Sequence, residues 1–292
     1  MCTVQGIVYN KAVFEAAGIT ELPTTPDEFL ACLQMIKDNT DAIPYYTNTN
    51  SGWTLDQWED HCFGTATGNA NDKNNELIND AGAFSDGGSH YEVAELLYNI
   101  VAGGLCEDAP TTCDWESSKL MLNNGEIGCM VLGSWALSQI KGAGENADDV
   151  AYMPFPFSVD GKQYATSGTD YCYAINKNSE NKAAARTWID FLVDESGLAL
   201  DQGGISLLKT DPMPDGLEAF ADVQFVVDLP AAEENSGMLD EMMYESGITL
   251  YDNGQRLAEV VNIARGASTQ TFEDYMASLA VKWQTAIDVL SK

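Results

Sequence analysis

Basic residues are scarce in this chain. Lys and Arg total 14 against 45 Asp and Glu in 292 residues, a formal net charge of −31. Gripping a phosphate backbone needs a concentrated basic surface, so no nucleic-acid partner is expected. The same charge disfavours adhesion to an anionic membrane, but it leaves neutral ligands such as sugars open. Only two histidines occur, His61 and His90. The seven cysteines form no CxxC pair and no Cys/His ligand cluster, so neither a structural zinc site nor any other metal or cofactor is expected. Cys106 and Cys113 flank a short proline-containing loop, a spacing that leaves open a disulfide or two inert thiols. No apolar run is long enough to span a membrane, and the N-terminus lacks a basic start and a leader-length apolar run. The catalytic patterns GxSxG and HExxH and the phosphate loop are missing as well, and no acidic pair is singled out as a glycosidase pair. No enzyme is expected.

What is present is a packed core, with 45% hydrophobic residues, enough for one large domain or two ordinary ones. Strand formers at Val4, Ile7, Val8 and Tyr9 predict a strand over 4–9. Thr25-Pro26-Asp27-Glu28 reads as a helix N-cap, a first-turn proline and two acids, opening a helix over 26–38 with Phe29, Leu30, Leu33 and Ile36 on one face. Further helices are expected at 11–17, 55–63, 91–101, 115–123, 136–140, 182–193, 217–222, 237–244, 254–264 and 271–290. Further strands are expected at 43–46, 127–132, 150–154 and 171–175. The Gly-, Asn- and Asp-rich stretch 64–89 reads as loop with one short insert. Strands alternate with helices, so the fold class is α/β with a mixed sheet.

Three passages carry a resemblance. Tyr9-Asn10-Lys11, then Phe14, Ala17-Gly18-Ile19 and Pro23-Thr24-Thr25-Pro26-Asp27-Glu28-Phe29, form the first. Asn124-Gly125-Glu126-Ile127-Gly128-Cys129-Met130 with Gly133-Ser134-Trp135-Ala136 forms the second. Gly168 through Ile175 to Ser179, with Ala183 to Leu192, forms the third. In this order they resemble the family 1 extracellular solute-binding proteins of bacterial ABC importers, whose best-known members bind maltodextrins. The resemblance implies a periplasmic-binding-protein-like class II fold. In the family the first passage follows a complete lobe, whereas here almost nothing precedes it. Residues 1–170 and 216–292 are therefore expected to form the C-terminal lobe, and 171–215 a segment of an otherwise missing N-terminal lobe. By the same resemblance the protein is a monomeric, substrate-binding component that delivers a carbohydrate to the permease subunits. Its place would be the extracellular face of the cell envelope or the periplasm, lipid-anchored in full-length form, with no signal or anchor in this chain. Cys2, with no apolar leader before it, is not expected to carry the lipid. A polyamine or another small solute is the alternative cargo, and a carboxylate-dependent glycan-processing enzyme a further one.

Holding a sugar needs aromatic rings for its C–H faces and planar polar groups for its hydroxyl rim. The resemblance places a stacking aromatic at Trp135, after a buried strand, and turns the polar loop bearing Trp53 toward the cleft. Asp170 reads as a hydroxyl acceptor or a turn cap, with Thr169 before it and Tyr171 after it as a second stacking ring. Thr3 and Gln5 lie on the first crossing strand. Tyr251 and Asn253 precede a helix, where Asp252 or Asn253 as a plain N-cap is the competing reading.

Overall fold

The structure is a computed structural model that describes residues 1–109 and 112–292. Its centre is strand β1, Cys2–Asn10. Alternation along β1 sends Ile7 into the larger of two apolar clusters and Val4 and Val8 into the other, so the strand separates two cores. The second half of β1 is flanked on both sides. It pairs antiparallel with β3, Ile127–Gly133, in the register Gln5↔Gly133 to Tyr9↔Cys129, and with β4, Val150–Met153. Every residue of β3 is buried, as its apolar run predicts. The first half of β1 pairs instead with the end of β6, Lys162–Thr169, through Cys2↔Thr169, Thr3↔Gly168 and Val4↔Ser167. Outside these strands, β2, Ile43–Tyr45, runs parallel to β3, and β7, Gln224–Val226, runs parallel to β6.

Helices cover both faces. α1, Lys11–Ala17, ends at Gly18 with φ 86°, a left-handed stop that suits glycine. α2, Pro26–Asn39, begins with the expected cap, in which Thr25 and Glu28 exchange side-chain and backbone hydrogen bonds. α3 spans Trp53–Glu59, α4 Gly64–Thr67 and α5 Ser89–Ala102. α6 spans Trp115–Asn123 and α7 Trp135–Lys141. The expected helices near the C-terminus are α10, Met238–Ser246, α11, Gln255–Ala264, and α12, Phe272–Leu290, which buries Phe272, Met276, Leu279 and Trp283.

Three expectations need correction. Residues 171–175 are not a strand: the last strand before them is β6, and beyond it Tyr171 and Tyr173 stand exposed with no neighbouring strand to pair with. The helix over 182–193 forms as α8, Lys182–Asp194, but none of its residues is fully buried, and its neighbour is the short helix α9, Leu198–Asp201. Residues 217–222 form a single 3-10 turn over 218–220 in place of a helix.

Candidate ligand-binding cleft

The antiparallel β1–β3 ladder brings the start of β1 beside the end of β3, and β6 ends on the other side of β1. All three strand ends therefore meet at one edge of the sheet, where crevices form in α/β folds. A cleft of about 510 Å³ opens there. It is lined by Thr3 and Gln5 of β1, by Trp135, and by Gly168, Thr169 and Asp170 at the end of β6. Five of the residues singled out from sequence, Thr3, Gln5, Trp135, Thr169 and Asp170, thus share one wall.

Trp135 owes its position to Gly133. A Cβ on Gly133 would lie 2.6 Å from Trp135 Nε1 and 3.1 Å from Gln5 Oε1, so only glycine lets the indole fold back across the strand end. Two further tryptophans support the ring. Trp53 is 5.7 Å from Trp135 and 5.2 Å from Trp115, and Trp115 is 6.0 Å from Trp135, which closes a triangle. Each is the first residue of its helix, α3, α6 and α7, so three helix starts converge behind the cleft wall. Trp53 backs the cleft and is not among its lining residues.

The remaining sequence candidates lie elsewhere. Tyr171 is half-exposed and outside the lining. Asn253, at φ 60°, packs its carbonyl on Gly52, where any Cβ would collide with it. That close fit holds the 48–53 loop against the start of α11 and makes Asn253 a turn residue. Asp252 accepts from Arg256 N at 2.9 Å in the first turn of α11, but the N-cap itself is Gly254, so neither Asp252 nor Asn253 is the plain N-cap. Tyr251 does not line the cleft, but it holds residues that do: its hydroxyl donates to Asp60 Oδ1 at 2.8 Å and accepts from Lys73 Nζ at 2.9 Å.

Asp60, Lys73, Gln57 and Asp228 line the cleft as well, beside Thr166, Ser167 and Val227, and sequence reasoning missed all seven. Gln57 sits one turn after Trp53, and its Oε1 accepts from Gly133 N at 3.3 Å. Lys73 bridges to Asp228 Oδ2 at 3.5 Å and lies over the Phe63 and Tyr251 rings at 4.9 and 4.7 Å. The asparagine-rich stretch around Lys73 fixes the chain beyond β7. Asn74 Nδ2 donates to Leu229 O at 2.7 Å, and Asn75 joins Pro230 and Ala232. A lone lysine among amides in an acidic chain was the available signal. Burial pushes the Asp60 carboxyl up to about 6, opposed by the Tyr251 hydrogen bond and the Lys73 charge.

Behind the cleft, Glu59, Cys62 and His90 bring potential ligand atoms within 4.8 Å of one another, all buried. The arrangement fits an ion pair better than a metal. Glu59 Oε2 already takes the Arg256 guanidinium, and Oε1 lies 3.2 Å from His90 Nδ1. Burial raises the Cys62 thiol well above its ordinary range and lowers His90 to about 4, keeping both neutral.

Comparison with known proteins follows this geometry. A family profile described as bacterial extracellular solute-binding protein matches residues 1–199. The solved structure of a manno-oligosaccharide specific solute binding protein from Bifidobacterium animalis subsp. lactis, in complex with mannotriose, superposes with a TM-score of 0.92 at 40% identity. That match covers 99% of this chain and 69% of the other. A binding protein of an ABC transporter from the same organism, in complex with mannobiose, gives a TM-score of 0.92, 40% identity and the same coverage. A chitin oligosaccharide binding protein, at 20% identity and a TM-score of 0.68, shares the fold. Curated binding-protein sequences of Brucella abortus are 26% identical over 209 residues, or 65% of this chain, which spans 44% of their length. The architecture is that of the class II periplasmic solute-binding proteins, as the three sequence passages imply. The chain belongs to the bacterial extracellular solute-binding protein family.

Proposed function

We propose that this chain is the ligand-capturing part of an ABC importer's solute-binding protein and that its cargo is a manno-oligosaccharide. One observation carries the reading: an indole, held by two other tryptophans, shares a cleft with Thr3, Gln5 and Asp170, the pairing of an aromatic face with planar polar groups that a pyranose needs. The Bifidobacterium structures, titled as mannotriose and mannobiose complexes, support this choice of sugar. Trp135 stacks on a sugar face, Gln5, Thr3, Thr169 and Asp170 meet its hydroxyls, and no bond is made or broken. The loaded protein docks on the permease as a monomer at the outer face of the cell envelope, held there by a lipid anchor in its full-length form.

Residues 171–215 belong to a second lobe that closes over the cleft. The support is their exposure: Trp188 is 61% exposed and Leu207 57%, on a stretch whose helix buries nothing. Closure follows if the closed form holds the sugar more tightly.

The test is a saturation-transfer NMR titration of this chain with mannobiose, mannotriose, maltotriose and spermidine. The manno-oligosaccharides are expected to bind, to lose binding in Trp135→Ala, and to remain intact after long incubation. Binding of spermidine in their place, cleavage of the sugar, or no carbohydrate binding at all would overturn the reading.

A further inference from the structure

We propose that the cleft selects its ligand by hydrogen-bond polarity and charge: it takes neutral sugars through hydroxyls that donate to Gln5 and Asp228, and it rejects sugars that carry a carboxylate. The inference rests on the carbohydrate reading above and adds a rule of selection to it.

Two cleft residues carry acceptors with nothing to accept. Gln5 Oε1 and Asp228 Oδ1 are buried oxygens without a hydrogen-bond partner among the described residues, and both side chains line the cleft. Unpaired buried acceptors are costly and are found paired in nearly all native proteins. A ligand hydroxyl that donates relieves that cost, whereas a carboxylate, which only accepts, cannot.

The donor side is already committed. Lys73 is the one cation among the described residues that line the cleft. Its ammonium is spent on Asp228 Oδ2, on the Tyr251 hydroxyl, and on the faces of Phe63 and Tyr251. An incoming carboxylate therefore meets Asp60, Asp170 and Asp228 with no unengaged positive partner among the described residues. One extra like charge a few ångströms away in a half-buried site weakens binding by about tenfold. Asp228 is the discriminating residue, because it supplies both an unpaired acceptor and a negative charge. Lys73 is a positioning residue that holds it in place.

The experiment titrates the chain by saturation-transfer NMR at low salt with two probes, mannobiose and a mannuronate disaccharide. The mannuronate is expected to bind at least about tenfold more weakly. The gap is expected to narrow in about 0.5 M salt, which screens the repulsion. It is also expected to narrow in Asp228→Asn, where an amide can donate to the uronate. The salt series on the unaltered protein decides the matter if that variant does not fold. Equal affinity for both probes, or a gap insensitive to salt, overturns the selection rule and leaves the carbohydrate reading standing. If neither probe binds, the carbohydrate reading itself falls.

Discussion

Asp60 and Tyr251 lie 191 residues apart in sequence and share a 2.8 Å hydrogen bond at the floor of the cleft. The bond links the end of α3 to the start of α11 and makes Asp60 a carboxylate with little water around it. Asp60 and Asp72 are each pushed up to about 6 by burial, whereas His61 and His90 are pushed down by burial, to about 3 and about 4. The two pairs act in opposite senses. The raised carboxyls bind protons more tightly when folded, so their contribution falls as pH rises from about 4 to about 6. The depressed histidines are protonated first in the unfolded chain, so theirs falls as pH drops below 6.5.

Between pH 4 and 6 these slopes nearly cancel, and removing one carboxyl uncovers the histidines. Relative to the unaltered protein, Asp60→Asn is expected to lose about 1.4 kcal/mol of stability per pH unit as the solution is acidified across that window. Urea unfolding at pH 4, 5 and 6 reads the difference. Parallel stability curves for the two proteins would remove the account of Asp60 as a protonatable buried group.

Gly133→Ala tests how Trp135 is placed. The new methyl lands on the indole, which is stiff and braced by Trp53 and Trp115, so the ring must leave the cleft wall. Overpacking of this kind costs about 1–3 kcal/mol. The variant is expected to bind manno-oligosaccharides at least about tenfold more weakly, as Trp135→Ala does, with a shifted tryptophan emission maximum. Unchanged emission and affinity would show that the ring has room to spare.

Much of the fold was legible because local chemistry and tertiary packing agree. Thr25 caps α2 as expected, with Glu28 completing a capping box, and the apolar residues of α2, α5 and α12 face inward at helical spacing. Reading failed where the partner of a pattern is not in this chain's own packing. The apolar stripe of α8 is as regular as that of α12, yet none of its residues is fully buried, and 171–175 has strand-forming residues but is not a strand. The cleft was half legible. Trp135, Gln5, Thr3, Thr169 and Asp170 sit at strand ends, where a linear pattern reaches. Asp60, Lys73 and Asp228 meet only through folding, from a helix end, the π-helical turn Asp72–Glu76 and the segment after β7, and no spacing joins them.

The buried Glu59–Arg256 pair ties α3 to α11 and is expected to behave as a coupled unit. Both side chains are almost fully enclosed, so Arg256→Met alone leaves an uncompensated carboxylate and is expected to cost about 3–5 kcal/mol. The double change Glu59→Leu with Arg256→Met removes both charges and is expected to cost less than the single one. Chemical unfolding of the three proteins gives the coupling directly. A single variant within about 1 kcal/mol of the parent would mean that the pair contributes no net interaction.

The exposed stripe on α8 predicts a solution behaviour. Trp188 and Phe191 have ring centroids 5.7 Å apart on an uncovered helix face, with Leu207 and Met213 also exposed in the same segment. Uncovered apolar surface of this kind associates with itself when its natural cover is away. Sedimentation velocity is therefore expected to show concentration-dependent self-association of this chain. Replacing Trp188 and Phe191 by Ser should reduce it without lowering stability, since neither ring is buried in the folded state. If a second lobe covers this face, supplying that lobe should suppress the association in the unaltered chain and have little effect on the double variant. A strictly monomeric chain at high concentration would indicate that the stripe is a solvated surface, and the assignment of 171–215 to a second lobe would lose its support.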